Sequence, residues 1–382
     1  MKYSTSKFVF LVICLVGMMA ASCSSSDSNI ATPTDNSGNN GNPNNPDIND
    51  PGIDSPSTSD WLIPPSQVFD GGPGVDGIPS IDNPQYNSVL EVDFLEDDDL
   101  VIGIKQGDII RGYPHQILDW HEITNSSISG ALPLDYSMTY CPLTGTALAW
   151  NRNVNGQTTE FGVSGLLYNT NLLPYDRNTN SIWSQLRNDC VNGPAIGTEI
   201  ETLRIIETTW KTFSTLFPNA EVLNRNTGFN RSYGVYPYGG YMTNSQLLFP
   251  VTNMDNRLHL KERVYGISIG NRATVYEFDT FGTDLEESIH VVNDEVNNID
   301  VVVVGSNYQD FMVAFQRPFS LEFSAVNDNE TVVMTDNEGN TWSIWGEALS
   351  GPRQGENLPL VNGYMGYWLA FPPFHSQVNI FE

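Results

Sequence analysis

Residues 101 to 113 read VIGIKQGDIIRGY and residues 264 to 276 read VYGISIGNRATVY. Both fit V-x-G-I-x-x-G-x-x-x-x-x-Y, which describes an apolar strand, a turn at the second glycine and a returning strand. A pattern met twice in one chain constrains the fold more than any single segment, because it predicts one supersecondary unit used twice. Further landmarks follow each copy in the same order. His121-Glu122-Ile123-Thr124-Asn125 is answered by His290-Val291-Val292-Asn293-Asp294, and the strand-like stretches 134–140 and 299–304 come next. Ala149-Trp150-Asn151-Arg152 is answered by Ala314-Phe315-Gln316-Arg317, and Asn180-Ser181-Ile182-Trp183-Ser184 by Asn340-Thr341-Trp342-Ser343. More loosely, 210–218 is answered by 368–373. The expectation is two diverged β-rich units, roughly 90–225 and 255–382, so that the folded part divides as 61–254 and 255–382.

Helical signals are few. Leu203, Ile206, Trp210, Phe213 and Phe217 recur at spacings of three and four and predict a helix over 203–217, stopped by Pro218. A shorter helix is expected to start at Pro114 and run to about Trp120. Tight-turn pairs are abundant, among them Asn155-Gly156, Asn192-Gly193 and Asn362-Gly363. The class is therefore all-β or β-dominated α+β with few short helices.

The 17 Lys and Arg face 45 Asp and Glu, a net charge of -28. A general nucleic-acid binder is excluded, because neutralising phosphates requires clustered cations. Glu96-Asp97-Asp98-Asp99 lacks the alternating ligand spacing of a calcium loop and reads as a solvated turn before the strand at Leu100.

The amino terminus reads as an address. Lys2 and Lys7 precede an apolar stretch of 14 residues, Phe8 to Ala21, which is too short to span a bilayer but suits a signal peptide over 1–22. Ala20-Ala21-Ser22 then meets Cys23 in a lipobox-like junction, where cleavage leaves a lipidated cysteine at the new terminus. Several acyl chains anchor a protein far more firmly than one. Ser24 after the cysteine, in place of Asp, points to the outer membrane of a bacterial envelope. From there to residue 60 the chain is Ser, Asn, Asp, Gly, Pro and Thr with almost no large apolar residue, the composition of a disordered tether. The membrane is thus an expected partner through the lipid, and protein partners are unassigned.

With Cys14 in the signal and Cys23 lipidated, Cys141 and Cys190 remain. They form either a disulfide, closing a loop of about 50 residues and contributing roughly 4 kcal/mol, or a functional thiol at Cys141. A Cys141 thiolate beside His121, with Glu122, His115 or Met138 completing the set, would suit copper or zinc. His115 and His121 are six apart and would not share a helical face. His121 could equally satisfy buried backbone groups at the end of the short helix.

Asp176 and Arg177, with Trp183 and Gln185, could line a polar ligand pocket or lock a hairpin corner. Gly266-Ile267-Ser268-Ile269-Gly270 matches G-x-S-x-G literally. The segment after it alternates like a strand, however, where a nucleophile elbow requires a helix. His259 and His375 receive no role.

At Gly112-Tyr113-Pro114, Ile117 to Ile123, Tyr140-Cys141-Pro142-Leu143-Thr144-Gly145-Thr146-Ala147, Phe161 to Leu166, Tyr175-Asp176-Arg177 and Ser181 to Gln185, the chain resembles a bacterial family. This is domain of unknown function 3179, and the resemblance covers nearly the whole folded part. It implies little about activity. The family usually carries Cys-Pro-Leu-Cys, and Thr144 stands here in place of the second cysteine, which puts a dithiol redox couple in doubt.

Two functional classes follow. One is a membrane-tethered protein that binds a metal ion or small ligand near Cys141 and His121, the reading adopted. The other is a thiol- or metal-dependent enzyme with Cys141 as nucleophile or ligand, His121 as base and Arg177 as anion clamp. A purely structural surface module is the third alternative.

Overall fold

Both echoed hairpins form. Leu100–Gln106 pairs antiparallel with Ile109–Pro114, and Arg263–Ile269 with Arg272–Tyr276. Each hairpin is extended in the same way. An antiparallel strand joins its first arm, Ile205–Thr209 in one case and Gly363–Tyr367 in the other, and a parallel strand joins its second arm, Glu221–Leu223 or Gln377–Ile380. The glycine of each V-x-G-I motif lies under an aromatic ring. A Cβ on Gly103 would stand 2.9 Å from Phe213, and one on Gly266 would stand 1.9 Å from Phe371, so neither site accepts a side chain without displacing the ring.

The computed structural model describes residues 60–327 and 331–382. The expected signal peptide 1–22, lipidated Cys23 and the tether up to residue 59 lie outside the described residues. Strands dominate, and the α-helices among the described residues are His115–Leu118 and Trp210–Leu216. None is long and apolar enough to cross a membrane.

Between the hairpins and their flanking strands lie three-stranded meanders. Ile123–Ile128, Leu134–Cys141 and Thr146–Asn151 form the first, and His290–Val296, Ile299–Ser306 and Phe311–Gln316 the second. Each is followed further along the chain by four antiparallel strands, of which the third carries a buried tryptophan, Trp183 in Ile182–Ser184 or Trp342 in Thr341–Trp342. The largest core cluster draws on both expected units, joining Trp150, Phe161 and Trp183 to Val264, Val275 and Phe371. The described residues accordingly fall within one compact unit.

The expected helix over 203–217 is corrected. Its first half is the strand Ile205–Thr209, and only Trp210–Leu216 is helical. The run Ile205, Ile206, Thr208, Thr209 is β-branched and pairs with 100–104, while the Thr209 side chain accepts from the Thr212 amide and starts the helix there. A three-to-four spacing read across a strand and a helix mimicked one long helix. The Pro114 helix is a single turn, His115–Leu118, with Pro114 as the preceding residue.

Candidate functional site

The strand Leu134–Cys141 ends in a tight turn. The Thr144 amide bonds the Cys141 carbonyl at 3.2 Å, and Gly145 closes the turn with φ of 60°. This buries Cys141 beside the strand Phe161–Tyr168, whose register shifts between Val163 and Leu166. A strap running from Gly71 to Asp82 crosses the opening. Backbone bonds from Gly71 to Gly165 (2.7 Å), from Asp76 to Val163 (2.8 Å) and from Ile81 to Ile123 (2.9 Å) hold it down. Gly165 is obligatory here, since a Cβ would lie 2.8 Å from the Gly74 carbonyl oxygen. Under the strap remains a cleft of about 160 Å³, lined by Val163, Leu167 and Phe249 and carrying Cys141, Glu122 and Tyr238 as its polar groups.

Glu122 is held in an unusual way. It is a non-glycine residue in the left-handed region, with φ of 57°, four residues beyond the end of the one-turn helix. Its amide bonds the Leu118 carbonyl and its carbonyl accepts from the Tyr140 amide, both at 2.7 Å, so the conformation is fixed from both sides. Such a conformation costs of order 1–3 kcal/mol and persists only where surroundings impose it. Its consequence is a buried carboxyl, accepting a hydrogen bond from the Tyr238 hydroxyl at 3.2 Å. Burial pushes this carboxyl up to about 7, and Asp119 adds to the effect while the Tyr238 bond opposes it. Asp119, near the end of the same turn, is likewise raised by burial to about 7. Burial pushes the Cys141 thiol up to about 11, with the Glu122 charge adding to it. This thiol donates weakly to the Thr170 carbonyl at 3.6 Å.

The far wall is built by aromatic residues between 236 and 249. Tyr236 and Tyr241 donate to the carbonyls of Pro142 and Leu143, each at 3.0 Å, clamping the cysteine turn from outside. Lys261 organises that wall. Its buried ammonium donates to the carbonyls of Asn244 and Gln246, both at 2.7 Å, and to that of Tyr241, while lying over the Tyr241 ring.

The structure places the remaining sequence candidates elsewhere. His121 is fully buried with both ring nitrogens occupied. Nδ1 donates to the Pro79 carbonyl at 2.7 Å, so Nε2 accepts from the Tyr233 hydroxyl at 2.6 Å, and burial lowers the pKa of this neutral ring. His121 thus pins the strap. His115 packs at a tilt against the Tyr140 ring and faces Glu207 at 3.4 Å. Among the described residues no three His, Cys, Asp or Glu side chains converge to hold a metal ion, so the expected set of Cys141, His121, Glu122 and His115 is not assembled.

Arg177 is not a free anion clamp. It pairs with Asp76 at 2.9 Å and bonds Ser80 at 2.9 Å, so that it too holds the strap. Asp176 turns the opposite way, accepting from the Trp183 indole at 2.9 Å and from the Thr179 hydroxyl at 2.7 Å, which makes it a hairpin lock. Gln185 lies in a buried polar cluster, accepting from Asn171 at 2.7 Å and donating to Thr139 at 3.0 Å. Thr144 belongs to that cluster through Thr146 (2.8 Å) and Asn171 (3.0 Å), so this position of the cysteine turn holds a satisfied hydroxyl. Cys141 and Cys190 are both free thiols, and the Cys190 thiol donates to the Asn192 carbonyl at 3.3 Å. Of the two alternatives for this pair, the disulfide is not formed.

His121, Arg177 and the turn after Cys141 therefore serve one construction, a strap and a turn enclosing Cys141 and Glu122. Residues 75–378 match the family model described as Protein of unknown function (DUF3179). The chain belongs to this family. No curated protein and no solved structure matches it. The match begins within the strap and ends in the last strand, so the whole cleft except Gly71 and Pro73 lies inside the family domain. Within that domain, sequence reasoning found Cys141 and Glu122 but missed Asp119, Tyr236, Tyr238 and Lys261. The aromatic run at 233–241 was the available signal, and nothing local assigned it to the cysteine turn.

Proposed function

We propose that the protein is a lipid-anchored bacterial envelope protein whose folded part binds a small, uncharged, largely apolar ligand, or the uncharged tip of a larger one, in the cleft at Glu122 and Cys141. The observation that carries this reading is Glu122, a carboxyl held in a left-handed conformation at an apolar cleft and raised to about 7, so that below that pH it offers a hydrogen-bond donor. Apolar clefts with one placed polar group are the usual form of a small-molecule site. At about 160 Å³ the space suits a group of benzene size, since an apolar cavity of about 150 Å³ accepts benzene. A nucleophilic role for Cys141 is disfavoured, because a buried thiol raised to about 11 is almost wholly protonated near neutrality.

The anchor rests on Lys2, Lys7, the apolar stretch and Cys23. Internal duplication is part of the same reading, supported by the shared flanking of the two hairpins and by the paired meanders.

Calorimetric titration with phenol tests the cleft. Binding is expected at pH 5.5, at least tenfold weaker at pH 8.5, and lost when Val163→Phe fills the space. Near-stoichiometric copper or zinc in the purified protein, vanishing in Cys141→Ser, would replace this reading with a metal site. Absence of both would leave the structural module. Mass spectrometry of the membrane-extracted protein tests the anchor, with the acyl mass at Cys23 expected to disappear in Cys23→Ser.

A further inference from the structure

Ser268 lies on the strand Arg263–Ile269, inside the sequence Gly266-Ile267-Ser268-Ile269-Gly270, and the chain turns back at Gly270 into a second strand. There is no strand-to-helix elbow. The tertiary fold nevertheless supplies what the motif lacks locally. The segment 371–376 wraps the hairpin tip, tied there by the Ser376 amide to the Asn271 carbonyl at 2.9 Å. This sets His375 against Ser268, with Nε2 and the serine Oγ 2.5 Å apart. On the other side of the ring, Nδ1 stands 2.9 Å from the Phe371 carbonyl oxygen. A carbonyl only accepts, so Nδ1 carries the proton and Nε2 presents its lone pair to the serine hydroxyl. That is the tautomer a general base needs.

The orienting carbonyl is itself rigidly placed. Phe371 packs face to face with Tyr364, ring centroids 5.1 Å apart, and closes on Gly266. His375 is 6% exposed while Ser268 is half-buried, and both border an open cavity of about 490 Å³. Asn271 and Asn362 border it too, and their side-chain amides are the candidate oxyanion donors. Arg187 is paired with Asp189 at 2.6 Å, which leaves Glu199 as the uncompensated charge on the rim. An anionic substrate is disfavoured there.

The geometry points to a second site, separate from the cleft at Cys141, in which Ser268 and His375 form a nucleophile–base dyad for hydrolysis of neutral or cationic carboxylic esters. The serine proton passes to His375 Nε2 as Oγ bonds the acyl carbon. The bond from that carbon to the leaving alcohol oxygen breaks, and the imidazolium returns the proton to it. Water then attacks the acyl-serine through the same base, releasing the acid and restoring both side chains. Burial lowers the pKa of His375, although its bond to Phe371 opposes this, so the base remains neutral below the usual histidine range. Lacking a carboxylate behind the ring, the dyad is expected to be slower than a full triad.

The test is to treat the mature protein with a fluorophosphonate and locate the adduct by peptide mass spectrometry, alongside hydrolysis of 4-nitrophenyl butyrate. An adduct at Ser268 and ester turnover that Ser268→Ala abolishes are expected. His375→Gln should lower kcat by about 10²- to 10⁴-fold with little change in KM. A folded wild-type protein that carries no adduct at Ser268 overturns the proposal without reference to any variant. Turnover unchanged in Ser268→Ala overturns it as well.

Discussion

The Trp183 indole N–H donates to Oδ2 of Asp176 at 2.9 Å, and the two residues close the hairpin corner between Asn171–Asp176 and Ile182–Ser184. Trp342 makes the same bond to Asp336 at 2.9 Å in the later part of the chain. Removing either carboxylate leaves a buried indole N–H and neighbouring donors without an acceptor. Asp176→Ala and Asp336→Ala are each expected to cost about 2–4 kcal/mol, measured by urea unfolding. Loss below about 0.5 kcal/mol in both would show that these corners close without the lock.

The pH dependence of stability follows from Glu122 and Asp119. In the unfolded chain these carboxyls ionise near their ordinary values, about 4, whereas in the fold burial holds both near 7. Between those limits the folded state binds more protons, so stability falls as pH rises through the window and levels above it. Glu207 and Asp336 act in the opposite sense. Burial raises both, but His115 and Arg263 outweigh it for Glu207, and hydrogen bonds from Asn340 and Trp342 do so for Asp336. Their contribution is present above the ordinary carboxylate range and is lost in stronger acid. Urea midpoints from pH 3 to 8 should therefore peak near pH 4–5, and Glu122→Gln should flatten the descent towards pH 7.

Differential alkylation tests the state of the cysteines. Cys141 and Cys190 are buried thiols that burial pushes up to about 11 in each case, so both should resist iodoacetamide at pH 7.5 in the native protein. Both should react once the chain is unfolded without reductant. A disulfide-linked peptide pair in the native digest would contradict the fold around Thr170 and Asn192.

Gly266→Ala probes the packing that carries His375. A Cβ would enter the Phe371 ring at 1.9 Å, and overpacking of this kind costs about 1–3 kcal/mol. Because the Phe371 carbonyl orients His375, labelling of Ser268 by the fluorophosphonate should slow as well. The cleft at Glu122 is built on other elements, and its phenol affinity should stay within about twofold.

Lys261→Met separates the cleft wall from the rest of the fold. The variant leaves three carbonyls, of Tyr241, Asn244 and Gln246, without their shared donor. A buried acceptor left unpaired costs about 1–3 kcal/mol. Amide exchange should accelerate across 241–249, with phenol binding weakened. Exchange should stay unchanged in the strands Leu100–Gln106 and Ile109–Pro114.

Local pattern alone determined the strand-dominated class, the two glycine-centred hairpins, the tight turns and the membership in the family. Each rests on residues near one another in the chain, where alternation, turn chemistry and motif spacing act directly. Cys141 and Glu122 were legible for the same reason, lying at a strand end and after a helical turn. Only tertiary structure decided which groups face them. Tyr238 and Lys261 come from beyond residue 235, and His121 and Arg177 turned out to hold the strap because their partners, Pro79 and Asp76, lie about 40 and 100 residues away in sequence. The strand at 205–209 follows the same logic, since pairing with 100–104 overrode a helical spacing. Ser268 shows the division most plainly, because its motif was dismissed on local grounds that still hold. His375, 107 residues further on, meets it through the wrapping of a terminal segment that no periodicity encodes.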